Sequence, residues 1–283
     1  MDTESNKVLL LGVGETGLAV VRLIAEKEVK GITAYGIVNE SGFGQLTGNI
    51  IEEAELVLLV TDLGYQEEDS LALQAAKFAK ENKKIVAAFL TTPPLFEGEK
   101  KIRRALGTAQ EIGREVDTSF IINQETFNNR HEEKVSFYDL INSLVPEEER
   151  IADSIQNMMD LIAESGSVNI DLEDLNKTFA KSGTFAIECG FGAGENRIGL
   201  AIEQALSSRM MRTCDIFTSR KVLIKVLTPN NSPVTTAEMK IVSEFIDKFP
   251  AHADIKWGVG EADDDVIVSV IILVSGFDVK LPE

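Results

Sequence analysis

The sequence predicts an α/β protein with a parallel-sheet first domain, a central helix, and a smaller α+β second domain that contains a mixed sheet. Three observations predict this fold. Apolar runs alternate with helical spacing in the first half, a long helix opens at Pro146, and the pattern changes after an acidic loop at 167–174. Strands that alternate with helices are typical of a parallel sheet covered on both faces. We expect domains at 1–145 and 167–283, joined by a helix at 146–166.

Five short apolar runs are the predicted strands of the first domain. Runs of this length and composition are typical of buried parallel strands. They lie at 7–13, 32–39, 56–62, 84–92 and 119–123. Helical spacing follows the first run and recurs at 71–80 and 97–115. The first domain is therefore predicted to have a sheet with helices on both faces.

The central helix is predicted from its first turn and its apolar stripe. Pro146 fits a first helical position, and the glutamates at 147–149 favour the positive end of the helix dipole. One face of the helix would carry Ile151, Ile155, Met158, Met159 and Ile162.

The second domain is predicted to mix strand directions. Helices are expected at 172–181, 195–208 and 236–249, and strands at 184–192 and 221–228. The two final apolar runs are separated by the acids at 261–265 and can pair directly as a hairpin, which suggests a mixed sheet.

Composition excludes several functional classes. The chain has 283 residues, of which 44% are apolar, which is enough for two packed domains. Its net charge of −18 repels nucleic acid and anionic lipid, and its longest apolar runs have only the length of strands. We therefore expect no nucleic-acid partner and no direct insertion into a membrane.

The rarer residue types add two expectations. Cys189 and Cys214 suit free thiols, and the N-terminus lacks an apolar signal core, which together indicate a cytoplasmic protein. His131 and His252 have no companions at metal-ligand spacing, so no metal is expected.

A glycine-rich turn follows the first predicted strand. GVGETG places Gly12, Gly14 and Gly17 in a GxGxxG pattern, which lets backbone amides approach a phosphate at a helix N-terminus. Glu40 ends the second strand, where dinucleotide folds carry a ribose-binding acid. The turn alone leaves two readings open: a Rossmann-type enzyme that binds GTP or NAD, or a scaffold that binds no nucleotide.

Four segments, in the same order along the chain, resemble the FtsZ/tubulin superfamily. TTPPLFEGEKKIRR (91–104) is similar to the family's TKPFxFEGxKR, and VDTSFIINQETF (116–127) is similar to VDSLITIPND. GFGAGENRIGLAIEQALSS (190–208) is similar to GxASGExRAxxAAxxAISS, and SVNIDLED (167–174) carries the NxDxxD pattern of the catalytic loop. The chain is therefore identified as a divergent member of this superfamily.

The resemblance implies two functional faces. In the family, the catalytic loop enters the nucleotide pocket of the next subunit, so Asn169, Asp171 and Asp174 would form the catalytic face. The remains of the cofactor-binding face would be Gly12, Gly14, Gly17, Asn39 and Gly64. The implied cofactor is GTP or GDP, and the implied partner is a second copy of the chain or an FtsZ-type protein. Asp171 and Asp174 also suit the capping of the helix that follows them.

The second phosphate loop departs from the family pattern. Where the family has GGGTGTG, this chain has DLGYQEEDS (62–70), which retains only Gly64. Glu67, Glu68 and Asp69 stand where the β- and γ-phosphates would bind. Carboxylates repel a triphosphate, so we expect weak or absent GTP binding and hydrolysis, and whether the chain is an enzyme stays open. The expected role is a cytoskeletal or filament-associated protein, in cell division or membrane remodelling.

Overall fold

The computed structural model describes residues 7–46, 49–123, 145–163, 168–262 and 267–279. The predictions that concern His131, Ser167 and the last residues of the 116–127 segment lie outside these ranges. The chain forms two compact units. One comprises Met1–Gln156 with Phe179–Gly183, and the other comprises Asn157–Thr178 with Thr184–Glu283.

The first unit contains a five-stranded parallel sheet in the order β2-β1-β3-β4-β5, which confirms the predicted fold. Its strands are β1 (Val8–Val13), β2 (Ile32–Ile37), β3 (Leu56–Asp62), β4 (Ile85–Thr92) and β5 (Thr118–Asn123). Its helices are α1 (Gly14–Glu26), α2 (Gly42–Leu46), α3 (Asn49–Glu53), α4 (Gln66–Glu81) and α5 (Glu99–Glu115), with a 3-10 turn at Leu95–Glu97.

The core of this unit lies around its central strands. Strand β1 is buried along its whole length, and β3 is buried up to Asp62. Helix α4 packs on the sheet with small side chains, at Ala72, Ala75, Ala76 and Ala79. Burial of these apolar surfaces is the main stabilising contribution to the unit. Because the strands are parallel, the turns that follow β1, β2 and β3 meet at one edge of the sheet.

The second half of the chain forms a mixed sheet in the order β6-β10-β8-β9. Its strands are β6 (Gly183–Gly192), β8 (Lys221–Pro229), β9 (Asp254–Ala262) and β10 (Val268–Ser275), and β7 (Cys214–Asp215) pairs separately with β11 (Asp278–Val279). The helices are α6 (Glu147–Ile162), α7 (Leu172–Phe179), α8 (Arg197–Ser207), α9 (Arg209–Arg212) and α10 (Thr236–Ile246), with a 3-10 turn at Ile216–Thr218.

The predicted hairpin between the last two strands is wrong, although the mixed sheet is present. Strand β8 lies between them: it pairs in parallel with β9 and antiparallel with β10. Helix α10 connects β8 to β9, and such a crossover returns the chain in the same direction. Strand β10 is buried on both faces and therefore takes a central position, whereas β9, with its exposed Trp257, lies at the edge.

Candidate functional site

The glycines of the first turn are required by close backbone packing. A Cβ atom at Gly12 would lie 2.2 Å from the carbonyl oxygen of Gly17, and one at Gly17 would lie 2.5 Å from that of Val60. Gly14 adopts a φ of +75°, which favours glycine. The three predicted residues therefore come together where α1 begins, and this packing explains their presence without a ligand.

A carboxylate from another strand occupies this turn. The backbone N–H of Thr16 donates to Oδ1 of Asp62, the last residue of β3, at 3.2 Å. Burial raises the pKa of Asp62, the hydrogen bond from Thr16 partly opposes that rise, and the charges of Glu68 and Glu15 add to it. The N–H groups at a helix N-terminus attract anions, and here that anion belongs to the protein. Asp62 was not among the predicted site residues, and its local signal is only that of a polar residue at the end of an apolar strand.

In the loop after β3, a carboxylate also accepts a hydrogen bond from a backbone amide. The N–H of Gly64 donates to Oδ1 of Asp69 at 2.9 Å, and Gly64 adopts a φ of +101°. Asp69 lies in the first turn of α4 and is buried, whereas Glu67 is exposed. Burial raises the pKa of Asp69, while hydrogen bonding and the charge of Arg104 oppose the rise. Of the three acids predicted to stand in this loop, Asp69 is the one that binds the Gly64 amide.

Asn39 forms an exposed turn after β2. Its Oδ1 accepts a hydrogen bond from the backbone N–H of Ser41 at 3.1 Å and another from the Ser41 hydroxyl. This is the local turn that asparagine side chains commonly stabilise. In the sheet register, Gly12 lies opposite both Gly36 and Val60, so the turns of the predicted cofactor face are neighbours.

The predicted catalytic residues lie in the loop before α7. Asp171 and Asp174 form reciprocal hydrogen bonds between backbone and side chain, and Asn169 is exposed. Asp174 also pairs with Lys256 of β9. Burial alone would raise the pKa of Asp174, but the hydrogen bonds from the Asp171 backbone and from Lys256 outweigh it and hold that pKa below its ordinary value.

A backbone contact holds this loop against the edge of the second sheet. The N–H of Val259 donates to the carbonyl oxygen of Val168 at 3.0 Å, and Ile170 is buried. A Cβ atom at Gly258 would lie 2.7 Å from the same carbonyl oxygen, so glycine permits this approach. The loop therefore presents Asn169 and one side of Asp171 to solvent from a fixed backbone.

Two further properties concern metals and membranes. Within the described ranges, no group of three or more His, Cys, Asp or Glu side chains is placed to hold a metal ion. No helix in the part of the chain that the structure describes is long and apolar enough to cross a bilayer.

Sequence comparison relates the chain to bacterial cell division proteins. No family model matches it. It is 28% identical over 205 residues to the cell division protein FtsZ of Porphyromonas gingivalis, covering 71% of this chain and 44% of that protein. It is 21% identical over 229 residues to FtsZ of Aquifex aeolicus, covering 81% of this chain and 61% of that protein. The chain spans about half the length of the curated relatives it matches.

Solved structures share the fold over nearly the whole chain. An empty FtsZ dimer from M. jannaschii matches with a TM-score of 0.75 at 18% identity, covering 95% of this chain and 88% of that one. The GTPγS-bound protofilament of CetZ2 from Haloferax volcanii matches with a TM-score of 0.71 at 14% identity, covering 96% and 93%. GDP-form protofilaments of TubZ from Bacillus thuringiensis serovar israelensis match with a TM-score of 0.67 at 16% identity, covering 97% and 87%.

Proposed function

We propose that this chain is a divergent member of the FtsZ/tubulin superfamily, and that it is a filament subunit or filament-associated protein with weak or absent GTP binding and hydrolysis. The observation that carries the nucleotide part is the pair of internal carboxylates. Asp62 and Asp69 bind backbone amides of the two turns where the superfamily's phosphate loops would lie. A phosphate would have to displace these carboxylates and then lie among further acids, which is unfavourable in a partly dry site.

The filament part of the proposal is supported by the relatives. TubZ and CetZ2, which share this fold, are described as protofilaments. We propose that the chain makes longitudinal contacts with a second copy of itself or with an FtsZ-type protein. In this proposal Asn169, Asp171 and Asp174 belong to one contact face, and Gly12, Gly14, Gly17, Asn39 and Gly64 belong to the other. Cell division or membrane remodelling in the cytoplasm is the proposed context.

The first experiment measures nucleotide binding. The purified chain is titrated calorimetrically with GTP, GDP, ATP and NAD, with and without magnesium. We expect no GTP binding tighter than the high micromolar range, since acids occupy both turns. Sub-micromolar GTP affinity would contradict the proposal, and saturable NAD binding that Glu40→Ala abolishes would support the Rossmann-type alternative instead.

The second experiment measures assembly. The chain is sedimented alone, and with a preassembled FtsZ polymer, in the presence and absence of GTP. We expect it to pellet with the polymer, or to pellet alone without any requirement for nucleotide. A chain that stays in the supernatant under all of these conditions would contradict a filament role and would favour a scaffold that does not assemble.

A further inference from the structure

Helix α1 lacks a cap from its own N-terminal residues. The residue before it is Val13, whose side chain cannot accept a hydrogen bond, and the first N–H groups of any helix have no partner within the helix. Asp62 supplies the missing acceptor to Thr16 from the end of a neighbouring strand. The amide in the first turn of α1 is therefore bound by a carboxylate of the protein itself, from a residue 46 positions away in the sequence.

The position of this carboxylate blocks the turn as well as capping it. Asp62 Oδ1 lies 2.3 Å from the point where a Cβ on Gly14 would stand, so the oxygen packs directly on the bare backbone of the turn. An external anion can reach the Thr16 N–H only by displacing this group. A second carboxylate accepts from a backbone amide beside α4. Tyr65 provides no side-chain cap for that helix, and Asp69, in its first turn, accepts from the N–H of Gly64, which precedes the helix.

We propose that Asp62 is the residue that determines the specificity of this turn, because its carboxylate acts as a resident ligand that excludes phosphate groups. The inference rests on the proposed weak nucleotide binding and names its cause. General repulsion by the acidic loop is a separate explanation, since Glu67 is also close in sequence but exposed. If Asp62 is the cause, substitution of Asp62 alone should allow phosphate to bind. If general repulsion is the cause, substitution of Glu67 should have a similar effect.

The test compares three variants with the wild type, using inorganic pyrophosphate as the probe in calorimetric titrations. Asp62→Ala removes the carboxylate and vacates its space, so we expect saturable binding at least ten times tighter than in the wild type. Asp62→Asn retains an acceptor oxygen and similar volume, so it should stay close to the wild type. Glu67→Ala removes one negative charge from the same loop and should also change little.

Two results would overturn the inference. One is a folded Asp62→Ala variant that binds pyrophosphate no better than the wild type. The other is a gain in Glu67→Ala as large as that in Asp62→Ala, which would assign the exclusion to overall charge. These titrations do not depend on filament formation, so nucleotide-independent sedimentation tests the proposed function separately.

A second measurement does not require Asp62→Ala to fold: the NMR chemical shift of the Thr16 amide, followed as a function of pH. In the wild type, the Thr16 amide should shift with pH as the Asp62 carboxyl titrates, with a midpoint above that of an ordinary aspartate because burial raises the Asp62 pKa. Glu15 and Glu68 also face this carboxyl, so their substitution by glutamine should lower the midpoint. In Asp62→Asn the shift should disappear, and a Thr16 amide that ignores pH in the wild type would refute the contact.

Discussion

Asp171 and Asp174 cap the same helix reciprocally. The Asp171 N–H donates to Asp174 Oδ2, and the Asp174 N–H donates to Asp171 Oδ1, both at 2.9 Å. This is the geometry of a capping box, with aspartate at both positions. The acids that resemble a catalytic pair thus also stabilise their own helix, and experiments on the proposed contact face must separate the two roles.

Substitution at Asp171 separates them. Asp171→Ala should lower the free energy of unfolding by about 0.5–2 kcal/mol, because the Asp174 N–H loses its acceptor. Asp171→Asn keeps an oxygen that caps well but removes the charge, so its stability in urea unfolding should stay close to that of the wild type. If the carboxylate also makes a filament contact, Asp171→Asn should no longer sediment with an FtsZ polymer. Unchanged sedimentation of this variant would assign Asp171 to capping alone.

Gly12 should tolerate no side chain. Gly12→Ala places a Cβ atom 2.2 Å from the backbone oxygen of Gly17, so α1 must move away from the sheet. We expect a loss of about 1–3 kcal/mol in the free energy of unfolding, as for other overpacked cores. Gly107→Ala is the matched control: Gly107 lies within α5 with open space around it, so alanine should stabilise the protein by about 0.5–1 kcal/mol. Equal effects of the two substitutions would contradict this packing.

Local patterns were sufficient to predict the strands β1 to β5 and the long helices of the first unit, but not the short helices α2 and α3. Each strand there is a short apolar run and each long helix has its own periodicity, so β1 to β5 follow from neighbouring residues alone. The order of the last strands depends instead on the crossover helix between β8 and β9. It also depends on which strand is buried on both faces and so takes a central position. Those are properties of the whole second sheet, so the acidic segment between β9 and β10 suggested a hairpin that does not form.

The candidate site also combines features that the local sequence predicts with contacts that only the folded chain shows. The glycines and the capping of α7 could be recognised from spacing, because the interacting groups are close in sequence. Asp62 could not, because its partner Thr16 is 46 residues away and the two meet only when β1 and β3 pair. Acids near Gly64 were recognised as a group, but only the folded turn distinguishes the buried Asp69 from the exposed Glu67.

Arg197, from the segment that resembles GxASGExRA, makes a partly buried ion pair with Glu238. Its guanidinium donates to both Glu238 oxygens, at 2.6 and 3.1 Å, and also binds the Ser232 backbone. Removing Arg197 leaves the Glu238 carboxylate without its charged hydrogen-bond donor. Arg197→Met should therefore lower the free energy of unfolding by about 1.5–3 kcal/mol. Glu244→Gln, in an exposed pair with Lys240, should change it by less than about 1 kcal/mol.

The same pair predicts the acid sensitivity of the second unit. Hydrogen bonding from Arg197 lowers the pKa of Glu238 from its ordinary 4.5 to about 2. Stabilisation by this carboxylate is therefore complete above pH 4.5 and is lost as the pH falls toward 2. The difference in unfolding free energy between wild type and Glu238→Gln should shrink over this interval. A difference that stays constant from pH 5 to 2 would contradict the assignment.

Lys225 of strand β8 donates hydrogen bonds to backbone carbonyls at the C-terminal end of helix α6. Its side chain is fully buried, and its amine donates to the carbonyl oxygens of Asp160 at 2.9 Å and Ala163 at 2.6 Å. The last carbonyls of a helix have no partner within the helix, and a positive charge is favourable there. Lys225→Met preserves the bulk of the side chain but leaves both carbonyls without this donor, which should cost about 1–3 kcal/mol for each.

Lys221 provides the matched control for this prediction. It lies on the same strand, and its amine also reaches a helix carbonyl, that of Lys177, but at an exposed site where water can replace it. Lys221→Met should therefore change the free energy of unfolding by less than about 0.5 kcal/mol. Urea unfolding of both variants at neutral pH measures the contrast, and equal losses would show that the Lys225 amine contributes nothing through its buried contacts.

The pH dependence of the Lys225 effect has a definite sign. Burial lowers the pKa of Lys225 below 10.5, although the charge of Asp160 partly opposes this. Between the folded pKa and 10.5 the unfolded chain binds more protons at this lysine than the folded protein does, so the contribution of Lys225 to stability increases as the pH rises. The stability difference between wild type and Lys225→Met should therefore widen from neutral pH toward 10.5. A difference that narrows over this range would mean that the amine retains its proton more strongly in the folded state than in the unfolded chain.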